Sequence, residues 1–432
     1  MSLTNIKKGD KVVIIGGGFA GLQLAKTLKN SGLKVVLADK QNHHQFQPLF
    51  YQVASGRLEP SSISFPFRKI FQQYKNTDFR MTDIVKIIPE ENKLMTSYDR
   101  TITYDHLVIA TGCKTNFFGN TEMSQNAFSM KTTQESIDIR NKILFSFEKE
   151  IFARPEEKQA WMNIIIVGGG ATGVELSGAF AELKNNVLPK DYHNIDFSKF
   201  NIILLEGSKH TLNNMSEASK DASRKYLEDL GVVVRTETLL SSYDGNIATL
   251  NTGEQIPTKN VIWAAGVTGN IIDGLKKEDI VRNRYIVDRY NHLKSFDNIY
   301  ALGDVAYMET PKYPQGHPQV ANVAINQAKN LGKNILKVLK GKEGKDLIPY
   351  EYNDLGMMAT IGKHKAVVEF PFLKFKGPIA WYVWMFLHLM LILSVRNKLV
   401  IFFNWAWSYM TKDTSLRIIT NIDYKKENVT DF

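Results

Sequence analysis

Residues Lys11–Gly21 read KVVIIGGGFAG, a run of branched apolar residues that leads directly into Gly16, Gly18 and Gly21. Such a run is typical of a buried strand in a parallel sheet, and the GxGxxG spacing lets backbone approach a pyrophosphate. Leu22–Lys29 has helical spacing, so the free N–H groups at the start of the helix would face that anion. With Phe19 and Ala20 inside the turn, the stretch predicts a dinucleotide-binding βαβ unit.

An acidic residue follows the next predicted strand. Val35–Ala38 is apolar and ends at Asp39 and Lys40, and Asp39 lies 18 residues after Gly21. A carboxylate at about this distance from the glycines can accept a hydrogen bond from a ribose hydroxyl. The acid favours a true dinucleotide site over a glycine-rich turn that binds nothing.

Length and composition restrict the class of protein. The chain has 432 residues, enough for two or three domains, and its 44% hydrophobic and 23% charged residues are globular values. Its single cysteine, Cys113, excludes an intramolecular disulfide and a dithiol active site and indicates a reducing compartment. The net charge of +10 suits either nucleic acid or an anionic membrane surface. The apolar C-terminal part favours the membrane, and we expect no nucleic-acid partner.

The opening pattern returns about 150 residues later. The strand-like run Ile164–Val167 leads into a second GxGxxG with an acid two residues further on, and Ile202–Leu205 ends at Glu206; the residues of this turn are Gly168, Gly170, Thr172, Gly173 and Glu175. Glu206 follows Gly173 by 33 residues, and the polar segment 185–200 reads as an irregular insertion. The repeat predicts an internal duplication with two dinucleotide pockets rather than a degenerate relic of one. Glu206 favours NADH over NADPH, although Lys209 nearby weakens that preference.

Three further predicted strands end in small residues that would let a cofactor lie against backbone. They end at Ala110, Thr111 and Gly112, at Ala265 and Gly266, and at Gly303 and Asp304. Asp304 could accept hydrogen bonds from hydroxyls along a ribityl chain. A helix predicted from Gly316 to about Lys340 would point its N-terminus at a flavin ring.

Other candidate residues receive simpler interpretations. Residues 41–54 read as an aromatic-rich loop, and His43 and His44 in it are hydrogen-bonding residues rather than metal ligands, because no other ligand clusters with them. We expect no metal site. For Cys113 a small buried residue is favoured over a redox group.

The C-terminal part differs from the rest of the chain. Ile379–Val395 holds 17 residues with one ionisable group, His388, which is at the lower limit for spanning a bilayer. In the next run Asn397, Asn404, Ser408 and Thr411 form one narrow polar stripe on a helix whose other positions are mostly apolar or aromatic. This pattern predicts a helix at the membrane surface, with a buried or dimer-forming helix and a spanning helix as alternatives. His388 is interpreted as packed or snorkelling rather than as a ligand.

Taken in order, these motifs resemble the type II NADH:quinone oxidoreductases, single-subunit respiratory dehydrogenases that do not pump protons. The resemblance implies an α/β fold with two Rossmann-like domains. The implied divisions are an FAD domain over 1–120 and 295–345, an NADH domain over 121–294, and a membrane-associating or dimerising region over 346–432. It also implies that the first turn, Asp39 and Asp304 hold FAD, that the second turn and Glu206 hold NADH, and that Glu175 lies near nicotinamide and quinone and tunes charge or proton delivery.

One motif departs from the family pattern. The family often has Ala-Gln-x-Ala-x-Gln in the helix that faces the flavin, and the matching residues here are Ala321, Asn322, Ala324 and Asn326. Both glutamines are therefore replaced by asparagines, which are one methylene shorter. Ala321 is expected at the flavin and the two asparagines at the quinone, with reduced reach.

The resemblance predicts oxidation of NADH through FAD with two-electron reduction of a membrane quinone. We expect a peripheral protein on the cytoplasmic side of the cell membrane that binds the inner leaflet through residues 378–411 and forms a homodimer. One cysteine excludes the usual sulfide:quinone and disulfide reductases. A soluble ferredoxin- or rubredoxin-type reductase and a non-enzymatic flavoprotein interaction module remain as alternatives.

Overall fold

The computed structural model describes residues 6–411, 413, 414 and 416–420. The chain divides into two compact units. Unit 1 comprises residues 1–45, 65–114 and 267–354, and unit 2 comprises residues 46–64, 115–266 and 355–432. The glycine turn at 16–21 belongs to unit 1 and the turn at 168–173 to unit 2.

Unit 1 is built on a five-stranded parallel sheet. Its strands lie in the order Ile299–Ala301, His106–Ile109, Lys11–Ile15, Lys34–Asp39 and Thr77–Met81. The central strand is buried from Val12 to Ile15, as its continuous apolar run predicts. Helices Phe19–Thr27 and Ala321–Val338 pack on one face, and Leu24, Ala328 and Leu331 belong to the same apolar core.

Two small sheets and short helical segments complete unit 1. One sheet is antiparallel, with strands Ile84–Ile88, Lys93–Thr96 and Thr101–Thr103. The other contains Ile280–Val281, Arg284–Ile286 and Ala306–Tyr307. The short helical segments are Phe67–Ile70, Pro89–Glu91, Lys277–Asp279, Gly303–Val305 and Gly344–Asp346.

Unit 2 repeats the parallel sheet with the same arrangement of strands. The order is Phe128–Ser129, Asn260–Trp263, Asn163–Val167, Asn201–Leu205 and Val232–Arg235. In both sheets the central strand precedes the glycine turn, and a neighbouring strand ends at the acidic residue. The predicted α/β fold with two dinucleotide-binding sheets is thus confirmed.

The other elements of unit 2 surround this sheet. Two antiparallel sheets lie in this unit. The strands of the first are Leu240–Tyr243, Ile247–Leu250 and Gln255–Pro257. The strands of the second are Met357–Gly362, Lys365–Glu369 and Lys374–Lys376. Its longer helices are Thr133–Phe152, Ala171–Asn186, Glu217–Asp229, Pro378–Leu391 and Val395–Thr411. Its shorter helical segments are Gln47–Leu49, Phe50–Ala54, Pro60–Ser62, Thr121–Asn126, Lys158–Met162, Leu188–Asp191 and Phe197–Lys199. Four short strands lie at or near the positions in the sequence where one unit ends and the other begins, namely His43–Gln45, Ser64–Pro66, Cys113–Thr115 and Val267–Gly269.

Some predicted elements were wrong in detail. Residues 41–54 are not an irregular loop, because they form a strand, a 3₁₀ turn and the buried helix Phe50–Ala54. The first helix begins at Phe19 rather than Leu22, since the glycine turn itself starts the helix. The helix predicted from Gly316 begins at Ala321, after the segment that contains Pro318. Ile379–Val395 is not one helix, since the helix ends at Leu391 and Ile392 is extended.

Candidate functional site

The first glycine turn has the shape that a pyrophosphate needs. Gly16 has φ +99°, and a Cβ there would collide with the carbonyl oxygen of Ala110. A Cβ on Gly18 would meet nothing within 4 Å, so the backbone at the start of the helix is open to an anion. Gly21 lies so close to the carbonyl of Gly16 that only a glycine fits. These features fit the diphosphate of a dinucleotide.

Asp39 holds the same turn from the end of the neighbouring strand. Its carboxylate accepts hydrogen bonds from the backbone N–H groups of Gly17 at 2.6 Å and Gln41 at 2.7 Å. Burial raises the pKa of this carboxyl, and the two backbone donors partly offset the effect. Lys40 is exposed beside it. The carboxylate is thus placed at the strand end where a ribose would lie.

His44 was not predicted to support this turn. It is buried, and its Nδ1 lies 2.9 Å from the carbonyl oxygen of Gly17. Burial lowers the pKa of the His44 imidazole to about 4, so the ring is neutral at pH 7 and Nδ1–H donates to the carbonyl. His43 contacts Asn42 at 2.8 Å. Among the described residues no cluster of three or more His, Cys, Asp or Glu side chains could hold a metal ion.

Asp304 and Gly303 form a second feature of unit 1. The backbone N–H of Gly303 donates to Oε1 of the buried Gln327 at 2.8 Å, and Gln319 donates to the carbonyl of Asp304 at 2.9 Å. The thiol of Cys113 donates to the Asp304 carboxylate, with Sγ and Oδ2 3.0 Å apart. Cys113 is half-buried rather than buried, and it positions an acid, a role that the sequence did not indicate.

The other predicted residues of unit 1 lie at strand and helix ends. Ala110 is buried. The hydroxyl of Thr111, next to Gly112, donates to the backbone carbonyl of Asn270 at 2.6 Å. The side chains of Asn322 and Asn326 are half-buried in the first turns of their helix, one helical turn apart. Ala321 is the first residue of that helix.

The second glycine turn reproduces the first in unit 2. Gly168 has φ +111°, and a Cβ there would lie 2.8 Å from the backbone nitrogen of Ala265. A Cβ on Gly170 would meet nothing within 4 Å, and Thr172 beside it is exposed. Gly173 lies against the carbonyl of Gly168 as Gly21 lies against Gly16. This turn therefore also fits a diphosphate.

Glu206 occupies the place in unit 2 that Asp39 has in unit 1. Its carboxylate accepts from the backbone N–H groups of Gly169 at 2.5 Å and Ser208 at 2.7 Å. On the other neighbouring strand, the carbonyl of Ala265 accepts from the indole of Trp263 at 2.7 Å, and Gly266 follows with φ +76°. The two strand ends flank the turn on either side, as a nucleotide-binding crevice requires.

Glu175 is the one acidic residue in the first turns of the helix Ala171–Asn186. Its Oε1 accepts from the backbone N–H of Thr360 at a long 3.3 Å, and the indole N–H of Trp384 is near it without good hydrogen-bond geometry. Glu175 keeps some surface exposure, but protein atoms surround its carboxyl, and this desolvation raises its pKa to about 8. A carboxyl with this pKa carries a proton at pH 7 and can donate it.

The helix Val395–Thr411 packs the start of its polar stripe against other parts of unit 2. Asn397 is buried and donates to the carbonyls of Ser61 at 3.1 Å and Ser62 at 2.8 Å. The opposite face exposes large apolar side chains, namely Leu399, Phe402, Phe403, Trp407 and Met410. Among the described residues no helix is both long and apolar enough to cross a membrane. His388 is packed, with its ring stacked on Trp384 at 4.0 Å.

Comparisons with known proteins agree with this geometry. Residues 10–328 match the pyridine nucleotide-disulphide oxidoreductase family, and residues 355–412 match the NDH2 C-terminal domain family. Two type II NADH:quinone oxidoreductases of Mycobacterium tuberculosis are similar to the chain. One is 32% identical over 95% of this chain and 89% of that protein, and the other is 29% identical over 95% and 90%.

A solved structure is similar over nearly the whole chain. NDH2 from Plasmodium falciparum in complex with NADH superimposes with a TM-score of 0.87 at 20% identity, covering 95% of this chain and 100% of that one. This likeness shows the fold. The two family matches and the mycobacterial relatives set aside the soluble ferredoxin-type reductase and the interaction module. With two dinucleotide turns, one cysteine and an NDH2 C-terminal region, the chain belongs to the family of type II NADH:quinone oxidoreductases.

Proposed function

We propose that this chain oxidises NADH through FAD and reduces a membrane quinone by two electrons, without pumping protons. The observation that carries the proposal is the pair of matching glycine turns, each with an acid at the neighbouring strand end. One polypeptide therefore offers two sites for dinucleotides. Its family membership assigns the reaction class.

The FAD site is assigned to unit 1. The open backbone at Gly18 takes the diphosphate, and Asp39 accepts from the adenosine ribose. Asp304 accepts from the ribityl hydroxyls, held in place by Cys113 and Gln319. When bound, FAD accepts two electrons at once from a nicotinamide and delivers them to a quinone. The other FAD-site residues are Gly16, Phe19, Ala20, Gly21, Lys40, Ala110, Thr111, Gly112, Gly303 and Ala321.

The NADH site is assigned to unit 2. Gly170 leaves room for the diphosphate, and Glu206 accepts from the 2′-hydroxyl while repelling a 2′-phosphate, which favours NADH. The other NADH-site residues are Gly168, Thr172, Gly173, Glu175, Ala265 and Gly266. Glu175 is the proposed catalytic acid, because its raised pKa keeps a proton available at pH 7 for quinol formation. Asn322 and Asn326 are the proposed quinone contacts.

The C-terminal region is proposed to bind the surface of the inner leaflet. Its exposed aromatic and aliphatic face would lie at the headgroup level, and Lys374, Lys376, Arg396 and Lys398 would attract anionic lipid. A quinone is soluble in lipid, so a protein at this surface can meet it. We therefore propose a peripheral membrane protein on the cytoplasmic side of the cell membrane. We also propose that it forms a homodimer.

Stopped-flow absorbance tests the reaction directly. NADH should bleach the bound flavin, and a water-soluble quinone should then restore its colour. If NADH leaves the flavin oxidised, the proposed activity is wrong. If bleaching occurs but quinone does not restore the colour, the acceptor is wrong.

Vesicle binding tests the proposed membrane surface. Replacing Phe402, Phe403 and Trp407 by serine should weaken sedimentation with anionic vesicles by about tenfold or more, since each buried aromatic contributes on the order of 1–3 kcal/mol. Phe152→Ser is the control, because Phe152 is an even more exposed aromatic residue and lies on a different helix. Equal loss in both proteins would contradict the assignment of this surface.

A further inference from the structure

A cavity of about 180 Å³ lies in unit 2, next to Glu175 and away from the glycine turn. Its wall combines the segment 51–57, the helix Ala171–Asn186 and the two C-terminal helices. A water molecule needs about 10–15 Å³ of such space and two to four polar partners. The cavity is therefore large enough for several water molecules. Whether it holds them depends on the polar groups of its wall.

The inner end of the cavity reaches the surroundings of Glu175. Thr360, which donates to the Glu175 carboxyl, lines the cavity, and so does Trp384, whose indole faces that carboxyl. Tyr51 also lines it, and the nearby Glu175 carboxylate adds to burial in raising the pKa of the Tyr51 phenol. The half-buried Lys363 and the exposed Tyr409 also line it, so part of the wall is reached by solvent.

A hydrogen-bond chain fixes the hydroxyl of Tyr51. The indole of Trp405 donates to Oε1 of Gln52 at 2.7 Å, and Nε2 of Gln52 donates to the Tyr51 oxygen at 2.8 Å. Because that oxygen already accepts from Gln52, its single hydrogen is left to donate. The chain thus holds the Tyr51 oxygen in place at the cavity wall and leaves its O–H group to act as a donor near Glu175.

A partly buried ion pair adds charged groups to a wall that also holds apolar side chains such as Leu183 and Val187. Glu182 follows Glu175 by seven residues, two helical turns, so both carboxyl groups lie on one face of the same helix. Glu182 pairs with Arg57 through Oε2 and accepts the backbone N–H of Lys363 through Oε1. A charged pair of which Glu182 is buried needs further polar contacts to offset its desolvation, and the cavity beside it has room for water in that role.

We propose that this cavity is a hydrated chamber that supplies protons, and that the Tyr51 hydroxyl passes them to Glu175. The inference rests on the proposed role of Glu175 as the acid in quinol formation. The overall reaction, NADH + H⁺ + quinone → NAD⁺ + quinol, takes up one proton from water. After Glu175 gives its proton away, Tyr51 donates its O–H proton to the Glu175 carboxylate and receives one from cavity water at the same oxygen.

Tyr51→Phe removes only the hydroxyl. Reduction of the flavin by NADH should stay within about twofold, while reoxidation by saturating water-soluble quinone should slow by about tenfold or more. Formate or azide, small acids that can enter a hydrated cavity, should restore part of the rate. The matched control is Tyr243→Phe, at a buried tyrosine of unit 2 outside the cavity wall, and it should change neither step.

A measurement without turnover separates a relay from a packing role. The infrared C=O band of protonated Glu175, identified by its loss in Glu175→Gln, should exchange in D₂O at least about tenfold more slowly in Tyr51→Phe. Ser408→Phe, which fills the cavity from the C-terminal helix, should slow the same exchange without touching Tyr51.

The possible outcomes are distinct. A raised quinone KM at unchanged kcat in Tyr51→Phe would mean that the cavity binds quinone. Unchanged flavin reoxidation and unchanged proton exchange in this variant would mean that no relay exists. Either result overturns the inference. If Glu175→Gln is reoxidised as fast as the unmodified protein, the proposed role of Glu175 fails first. If Glu175→Gln is slow while Tyr51→Phe behaves normally, only the chamber is wrong.

Discussion

The two units place similar residues at the ends of matching strands, and two of the differences between the helices that follow the glycine turns affect the site. Two residues after the third glycine, unit 1 has Gln23 and unit 2 has Glu175; three residues later, unit 1 has Lys26 and unit 2 has Gly178. Gln23 donates to Thr27 of its own helix at 3.2 Å. Glu175 instead accepts from Thr360, which lies in the hairpin formed by strands Met357–Gly362 and Lys365–Glu369, here called the C-terminal hairpin.

Gly178 explains how the hairpin reaches the second helix. A Cβ at this position would collide with the carbonyl of Ile361, the residue after Thr360. The glycine therefore lets backbone pack on backbone, and the hairpin covers the carboxyl of Glu175. Lys26, at the matching position, has a long side chain that would exclude such a strand. The two units thus share an open glycine turn, and in unit 2 the hairpin also desolvates the carboxyl of Glu175 in the following helix.

The largest expected effect comes from placing a carboxylate in each open turn. Gly18 and Gly170 have φ values of −65° and −70°, which any residue adopts, and each stands at the N-cap position that aspartate favours. Gly18→Asp should fold but be purified without flavin, because the new charge repels the diphosphate. Gly170→Asp should keep its flavin but lose reduction by NADH by about a hundredfold or more.

Alanine at the same two positions is the control for this comparison. Gly18→Ala and Gly170→Ala add a methyl group to open space and no charge, so flavin content and reduction rate should change far less. Absorbance spectra and stopped-flow reduction measure both properties. Loss of flavin from Gly170→Asp, or its retention in Gly18→Asp, would mean that the two turns have been assigned to the wrong nucleotides.

A smaller effect is expected from Glu206→Arg. The substitution removes the acceptor for a ribose hydroxyl and offers a cation to a 2′-phosphate, so the ratio of kcat/KM for NADH over NADPH should fall roughly tenfold to a hundredfold. Glu206→Gln should lower NADH use without improving NADPH use. Steady-state kinetics with both nucleotides measure the ratio, and an unchanged ratio would remove Glu206 from the site.

The sequence predicted those features that depend on neighbouring residues. Continuous apolar runs ending in GxGxxG predicted both central strands and both turns. The acids Asp39 and Glu206 were located because each stands at the end of the next apolar run. The surroundings of Glu175 could not be predicted, because Thr360 lies 185 residues away along the chain. Likewise the polar stripe of the last helix was visible in the sequence, but Ser62, the partner of Asn397, lies 335 residues away along the chain. Gln52, the partner of Trp405 on the same helix, lies in the segment interpreted as a loop.

The finest test of the difference between the two helices is the pH dependence of stability. The pKa of the Glu175 carboxyl is raised from an ordinary 4.5 to about 8 in the folded protein, so between these pH values the folded state binds more protons than the unfolded state. The contribution of Glu175 to stability should therefore fall as pH rises from about 5 to about 8 and level off above that range, whereas the buried His44 opposes this fall below about pH 6.5. In Glu175→Gln this part of the fall should be absent, as measured by urea unfolding at a series of pH values.

Gln23→Glu provides the matched change in the first helix. Gln23 is half-buried, and its side chain donates to the Thr27 hydroxyl, which itself donates to the Gln23 carbonyl, so a carboxylate there can stay hydrated and ionised. The variant should unfold within about 0.5 kcal/mol of the unmodified protein at every pH from 5 to 8. A steep loss of stability of Gln23→Glu in this pH range would contradict this explanation. It would mean that the sheet and helix shared by both units are enough to raise the pKa of an acid at this position, without burial by the C-terminal hairpin.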